Sequence, residues 1–105
     1  MRFIETTIFT EDVHRFLSEN EYHDLQLTLM SRPERGTLIR GGGGLRKIRW
    51  GVRGRGKRGG LRIIYQWDGR SGTFFMLMVY AKSEQGDVTP AQRRLLTRLV
   101  KESWK

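Results

Sequence analysis

Cysteine is absent from this chain of 105 residues, so disulfide bonds and thiolate metal sites are excluded. The chain has only two histidines, which argues against a zinc site built from protein ligands, and we predict no metal site. No apolar run approaches the length of a transmembrane helix, and the N-terminal segment MRFIETTIF lacks the apolar stretch of a signal peptide. These absences predict a cytoplasmic protein with no membrane contact, and the length predicts one domain over residues 1–105.

Acidic side chains are scarce in the middle of the chain. Residues 1–31 carry 2 basic and 6 acidic side chains, residues 32–70 carry 12 and 2, and residues 71–105 carry 6 and 3, for a net charge of +9. A cationic centre behind an acidic front predicts contact with nucleic acid, or with an acidic partner that masks the patch. The shortage of carboxylates also argues against two-metal nuclease chemistry, which gathers acidic ligands.

Residues 41–67, GGGGLRKIRWGVRGRGKRGGLRIIYQW, hold most of the central positive charge. Alternation in residues 45–52 predicts a strand with Lys47 and Arg49 on one side and Arg46 on the other. Residues 61–67 predict a second strand, and the glycine-rich basic segment between the two strands predicts a loop. Cations on a sheet beside a basic loop form the geometry of a site for a polyanion.

The remaining elements predict an α+β domain. Residues 2–9 are typical of a strand, and two amphipathic helices follow, the first capped by Thr10 and the second ended by Pro33. Residues 37–44 predict a linker, and residues 73–81 a buried central strand. The order β-α-α-β-β-β-α indicates a curved, mainly antiparallel sheet with helices packed on one of its faces.

The C-terminal helix has the clearest boundaries in the sequence. Thr89 is a favourable N-cap, Pro90 suits the first helical position, and Gln92 completes a capping box. Its spacing predicts that Leu95, Leu99 and Trp104 are among the residues that face the core.

Two nucleotide-binding motifs occur by letter within the basic loop. Residues 54–59, GRGKRG, match G-x-G-x-x-G, and residues 51–57 match the start of a phosphate-binding loop. Both motifs require a helix to follow, so that phosphate meets the helix N-terminus, whereas here a strand follows. The sequence therefore does not favour a nucleotide site.

Metal-free cleavage of RNA is the chemistry that a cationic cluster allows. The RNA 2′-hydroxyl can attack the adjacent phosphorus if the protein moves protons and stabilises the transition-state charge. Lys47, Arg49, Arg62 and Lys82 converge if their strands are neighbours. The alternatives are a solvated basic face and a binding patch without catalysis.

With these elements assigned, the chain resembles toxins of the RelE/ParE superfamily from type II toxin–antitoxin systems, and within it the HigB branch. The resemblance extends over nearly the whole chain and is sharpest at GGLRKIRW, GRGKRGG, LRIIYQW and VYAKSEQGDVTPAQRRLL. It implies the RelE-like fold and an mRNA interferase, an endoribonuclease that cleaves mRNA on the ribosome without metal or cofactor and so inhibits translation. ParE-like members instead inhibit DNA gyrase, and that target stays an alternative.

The resemblance also implies residue roles and partners. Lys47, Arg62 and Lys82 match catalytic positions, with Arg62 expected to hold the scissile phosphate. The residues expected to contact mRNA or ribosomal RNA are Arg46, Arg49, Arg53, Arg55, Lys57 and Arg58. Independently of the resemblance, the glycines in residues 52–60 raise the cost of fixing any one side chain, which predicts a loop that is mobile in the free protein and contributes mainly electrostatic docking. The implied protein partner is a HigA-like antitoxin with a helix-turn-helix domain.

Two positions depart from the RelE pattern. Ser83 stands about where RelE has a further catalytic arginine, and Thr89 about where RelE has a base-stacking tyrosine. The group that protonates the leaving oxygen is therefore left open among Lys82, Lys57 and Arg58.

Overall fold

The structure is a computed structural model that describes residues 1–51 and 60–103. The helices are α1 (Thr7–Phe16), α2 (Glu19–Ser31) and α3 (Pro90–Ser103). The strands are β1 (Arg2–Glu5), β2 (Thr37–Leu38), β3 (Arg46–Trp50), β4 (Leu61–Asp68) and β5 (Thr73–Ala81).

The five strands form one open sheet in the order β1-β5-β4-β3-β2. Strand β1 pairs with β5 in parallel, and the other three pairings are antiparallel. This arrangement confirms the predicted α+β fold with a mainly antiparallel sheet. The two-residue strand β2 lies within the segment that was predicted to be a linker, where Thr37 pairs with Lys47.

Helices cover both faces of the sheet, and the expectation that they share one face is wrong. One buried cluster joins α1 and α2 to the sheet through residues that include Phe9, Leu25 and Tyr65. A second cluster joins α3 to the opposite face and includes Ile64 and Leu96. Strands β4 and β5 carry apolar side chains on both faces, so each face needs a cover to exclude water.

Helix α1 starts earlier than the sequence predicts, because Thr6 and not Thr10 is its N-cap. The Thr6 hydroxyl accepts a hydrogen bond from the Phe9 amide at 3.0 Å and donates one to the Leu77 carbonyl at 2.9 Å. Local propensity in residues 2–9 favours a continuing strand, but these contacts to β5 end the strand at Glu5.

Helix α3 begins with the predicted capping box. The Thr89 hydroxyl accepts from the Gln92 amide at 3.0 Å, and the Gln92 side chain accepts from the Thr89 amide at 2.9 Å. The predicted buried face is wrong in one position, because Leu95 is 49% exposed whereas Leu96 is 5% exposed. Leu99 is partly buried against the second cluster, and Trp104 lies outside the described residues.

One irregularity in the sheet decides which side chains of β5 face α3. Ile64 pairs with Met78 while Tyr65 pairs with Met76, so Leu77 is an extra residue in β5. Such a bulge shifts the alternation of every residue that follows it. Arg62 consequently lies opposite Tyr80, whereas an unbroken register would bring Val79 to that position.

Candidate active site

A row of polar side chains crosses three strands on the face of the sheet that α3 covers in part. Arg49 of β3 pairs with Arg62 of β4, and Arg62 pairs with Tyr80 of β5. Residues that are directly opposite in neighbouring strands point to the same face, so these three side chains are neighbours. Lys47 lies two residues before Arg49 on β3 and therefore shares this face. The structure thus brings together cations that are up to 15 positions apart in the sequence.

Arg62 is almost completely withdrawn from solvent. The residue as a whole is 6% exposed, and its guanidinium donates a hydrogen bond to the Leu61 carbonyl at 3.3 Å. Arg49, its neighbour across the ladder, is exposed. A buried arginine presents its donors in a fixed orientation, because packing restricts the rotamers that a surface arginine samples freely.

Tyr80 is the buried neighbour of Arg62 in β5. Within the part of the chain that the structure describes, its hydroxyl is a buried polar atom with no partner in good hydrogen-bonding geometry, although the Asp87 carboxylate is close enough to act on it. Burial raises the pKa of the Tyr80 hydroxyl, the nearby Asp87 carboxylate raises it further, and the positive charge of Arg62 opposes the increase. Tyr80 therefore keeps its proton near neutral pH, and its hydroxyl can donate a hydrogen bond to a bound ligand.

Asp87 supplies a carboxylate to this cationic group. Its Oδ1 atom accepts a hydrogen bond from Lys47 Nζ at 3.0 Å and another from the Val88 amide at 2.7 Å. The bond from Lys47 is the largest influence that lowers the pKa of Asp87, and the positive charges of Lys47 and Lys82 add to it. The carboxylate is thus ionised at neutral pH.

Lys82 follows the end of β5, two residues after Tyr80. Its amide donates a hydrogen bond to the Gly60 carbonyl at 3.1 Å, which ties the end of β5 to the start of β4. The side chain is exposed, and its charge acts on Asp87. Of the four cations that were expected to converge, Lys47 and Lys82 therefore act on the Asp87 carboxylate, while Arg49 and Arg62 lie in one row with Tyr80.

Comparison with known proteins identifies the kind of molecule that carries this site. A sequence model of the RelE toxin of the RelE/RelB toxin–antitoxin system matches residues 6–105. The chain belongs to the RelE toxin family. It is accordingly the toxin member of a toxin–antitoxin pair, and an antitoxin is its partner.

A solved structure of Escherichia coli RelE shares the fold. That structure is of a double arginine-to-alanine variant in the free state, and it superposes with a TM-score of 0.56 at 16% sequence identity. The match covers 80% of this chain and 85% of the E. coli chain. The similarity establishes that the RelE-family toxin described here has the RelE architecture.

The predicted RNA contacts of this RelE-family toxin divide between the two faces of the sheet. Arg46 projects from the face opposite Lys47, and its guanidinium donates to the carbonyls of Glu34 at 3.1 Å and Gly36 at 2.8 Å. A 3.7 Å ion pair with the Glu34 carboxylate accompanies these bonds. The structure thus shows Arg46 supporting the segment before β2, and its contact with RNA stays a prediction. The loop cations Arg53, Arg55, Lys57 and Arg58 lie outside the described residues.

Two members of the cluster were missed in the sequence, each for an identifiable reason. Tyr80 stands in a continuous apolar strand, where nothing distinguishes it from a core residue. Asp87 stands in a polar loop, 40 positions from its partner Lys47. Nothing in the local sequence distinguishes Asp87 from an ordinary loop carboxylate.

A metal site and a membrane-spanning helix would each have a recognisable form in residues 1–51 and 60–103, the part of the chain that the structure describes. Within these ranges no three histidine or acidic side chains are grouped in a way that could hold a metal ion. No helix in the same ranges combines the length and the apolar character needed to cross a membrane.

Proposed function

We propose that this toxin is a metal-independent endoribonuclease that cleaves mRNA on the translating ribosome. Arg62, Lys47 and Lys82 are the catalytic cations, and Arg49 contributes to RNA binding. The loop cations Arg53, Arg55, Lys57 and Arg58 complete the binding surface for mRNA and ribosomal RNA. The cytoplasm is the compartment in which such a target is available.

The observation that carries this proposal is the position of the buried Arg62 between Arg49 and Tyr80. A charged residue that is only 6% exposed loses hydration that only other polar contacts can replace. A surface that merely attracts RNA gains nothing from this cost, because exposed cations attract phosphates equally well. A site that must hold one phosphate in a fixed geometry does gain, because a preorganised donor needs no reorganisation during the reaction.

The chemistry follows from the donors that meet on this face. Arg62 binds the non-bridging oxygens of the scissile phosphate, and the charge that develops on them in the transition state strengthens this interaction. Lys47 provides a second cation on the same side of the sheet. Lys82, at the exposed end of β5, donates a proton to the leaving 5′-oxygen. The RNA supplies its own nucleophile, the 2′-hydroxyl.

Removal of the Arg62 guanidinium tests the proposal. We expect Arg62→Ala to lower single-turnover mRNA cleavage on programmed ribosomes by roughly 10²–10³-fold, the loss that removal of one transition-state donor causes. Binding to the ribosome should change little, because many other cations hold the RNA. Arg70→Ala is the matched control, since it also removes one positive charge but lies in the turn between β4 and β5. A parallel loss of binding and cleavage would show that Arg62 acts through RNA binding alone, and an unmodified toxin that binds the ribosome without cutting mRNA would indicate a binding module without catalysis.

DNA gyrase inhibition is the second candidate within the superfamily. A gyrase inhibitor needs no phosphate-binding cluster, so the convergence of Lys47, Arg49 and Arg62 favours the ribosome. After induction in cells, a ribosome-directed toxin stops protein synthesis first and leaves mRNA cut within coding regions. A halt in DNA synthesis with intact mRNA would instead show that the toxin inhibits DNA gyrase.

The antitoxin is proposed to be a HigA-like protein with a helix-turn-helix domain. The net charge of +9 favours an inhibitor with an acidic segment, because complementary charge speeds association and suppresses wrong partners. Competition between the antitoxin and RNA for the toxin tests whether that segment covers the cationic face.

A further inference from the structure

Metal-independent cleavage by the 2′-hydroxyl needs a group that accepts its proton, and most of the cluster cannot do so. Arginine keeps its proton in proteins, so Arg62 is a donor only. Lys47 is engaged as a donor to a carboxylate at 3.0 Å. Burial keeps the proton on the Tyr80 hydroxyl. Among the described residues of the cluster, Asp87 is the one carboxylate, and its contacts keep it ionised.

The Asp87 carboxylate is held in place by contacts on both sides. Its Oδ1 atom is fixed by Lys47 of β3 and by the Val88 amide, and its own carbonyl accepts from Gln85 Nε2 at 2.8 Å. Gln85 Nε2 also donates to the Gln92 side chain at 2.7 Å, which ties this loop to the first turn of α3. A carboxylate that is held in this way has the preorganisation that proton transfer requires.

The carboxylate is nevertheless accessible to a substrate. The Asp87 side chain is 66% exposed, and the Lys47 side chain is 31% exposed. Ion pairs this exposed contribute about 0–1 kcal/mol to stability, so a structural role gives little reason to have a carboxylate among cations that bind RNA. An ammonium has three donors, so Lys47 can hold Asp87 and an RNA phosphate together, which brings the carboxylate beside the bound nucleotide.

We propose that Asp87 is the general base of the cleavage reaction, with Lys47 as the group that positions it. Asp87 takes the proton from the 2′-hydroxyl as the 2′-oxygen bonds to phosphorus. The bond between phosphorus and the 5′-oxygen breaks, and that oxygen leaves with a proton from Lys82. The products are a 2′,3′-cyclic phosphate and a 5′-hydroxyl end, and solvent returns the proton from Asp87 to Lys82. This assignment rests on the proposed function.

Phosphate binding activates the base. In the free toxin the hydrogen bond from Lys47 and that from the Val88 amide, with the positive charges of Lys47 and Lys82, hold the pKa of Asp87 below its ordinary value. A bound phosphate shares these cations and adds a negative charge, so the pKa of Asp87 rises in the complex, which makes the carboxylate a stronger proton acceptor. Among residues 1–51 and 60–103, the titratable and charged groups that act on Asp87 are Lys47 from β3, Tyr80 from β5 and Lys82 just after β5, and Arg62 from β4 lies next to Tyr80.

The test compares two substitutions that each remove one negative charge from the loop between β5 and α3. Asp87→Asn keeps an oxygen that can accept from the Val88 amide, so the loop retains that contact. Glu84→Gln is the matched control, because Glu84 forms a 3.6 Å ion pair with Arg15 of α1 and not with the cluster. For these variants and for Asp87→Glu, we measure single-turnover cleavage of mRNA on programmed ribosomes at saturating toxin. Ribosome binding and the melting temperature are measured in parallel.

We expect Asp87→Asn to lower saturated cleavage by roughly 10²–10⁴-fold, the usual contribution of a general base. Ribosome binding should be unchanged or tighter, since a negative charge has been removed. Glu84→Gln should cleave like the unmodified toxin, and Asp87→Glu should restore part of the rate. The acid limb of the saturated rate, where cleavage falls as pH falls through the pKa of Asp87 in the complex, should disappear in Asp87→Asn.

Cleavage by Asp87→Asn within about threefold of the unmodified toxin would overturn this assignment while leaving the proposed function intact. An unchanged acid limb in the residual activity of that variant would overturn it as well, and this readout does not depend on how stable the variant is. Failure of the unmodified toxin to cleave mRNA on ribosomes would instead refute the proposed function itself.

Discussion

Replacing Leu96 with alanine tests whether α3 is packed on the second face of the sheet. Leu96 is 5% exposed and belongs to the cluster that includes Ile64 of β4 and Phe75 of β5. Removing a buried leucine side chain costs about 2–5 kcal/mol, because the transfer free energy is lost and a cavity remains. In a domain of this size that loss lowers the melting temperature by at least about 8 °C.

Leu95→Ala is the control, since Leu95 precedes Leu96 in the same helix and is 49% exposed. Both substitutions change leucine to alanine in a helix, so any difference in helix propensity cancels between them. We expect Leu95→Ala to change the free energy of unfolding by about 0.5 kcal/mol or less, as surface substitutions usually do. Urea titration followed by tryptophan fluorescence measures both values. Equal losses in the two variants would refute the packing of α3 against the sheet.

Two further predictions concern the two faces of the sheet and the buried hydroxyl. Arg46→Ala is expected to lower the free energy of unfolding by about 1–3 kcal/mol, because two hydrogen bonds from a charged donor are lost. Arg49→Ala should leave the free energy of unfolding unchanged. It should weaken RNA binding and make the binding constant less dependent on salt. Urea titration measures the stability of the two variants, and RNA binding at two salt concentrations measures their affinity. A stable Arg46→Ala variant together with a destabilised Arg49→Ala variant would contradict these assignments. Tyr80→Phe is expected to preserve or raise the free energy of unfolding, because within the described residues its hydroxyl is buried without a good hydrogen bond. We expect the hydroxyl to donate to the phosphate held by its neighbour Arg62, so the same variant should lower saturated cleavage by about 2- to 12-fold, the value of one neutral hydrogen bond. A destabilised variant with undiminished cleavage would show that the hydroxyl serves the fold alone.

Much of the fold and part of the site follow from local patterns in the sequence. The alternation of residues 45–52 and 61–67 was sufficient to predict two strands, because side chains in a strand change face at every residue. The same period separated Arg46 from Lys47, and the structure has them on opposite faces. The cap at Thr89 was equally predictable, because it depends only on residues within one turn of the helix.

Tertiary structure alone decided where helix α1 begins and how the helices are distributed. The Thr6 hydroxyl caps α1 because it also reaches the Leu77 carbonyl, a contact between residues 71 positions apart. The burial of both faces of β4 and β5 was visible as apolar sequence, but their composition does not say which helix covers which face. Leu95 and Leu96 have the same side chain, and only the angle at which α3 meets the sheet buries one and exposes the other.

The site itself divides in the same way. That Lys47, Arg62 and Lys82 lie on strands or at their ends could be predicted, since each belongs to a segment with clear strand periodicity or follows one. That Tyr80 faces Arg62 could not, because the extra residue Leu77 reverses the alternation of β5 and a bulge leaves no mark in a strand that is apolar throughout. Asp87 meets Lys47 only because the loop before α3 returns across the sheet, and a pairing over 40 positions depends on the packing of the whole domain and on no local pattern.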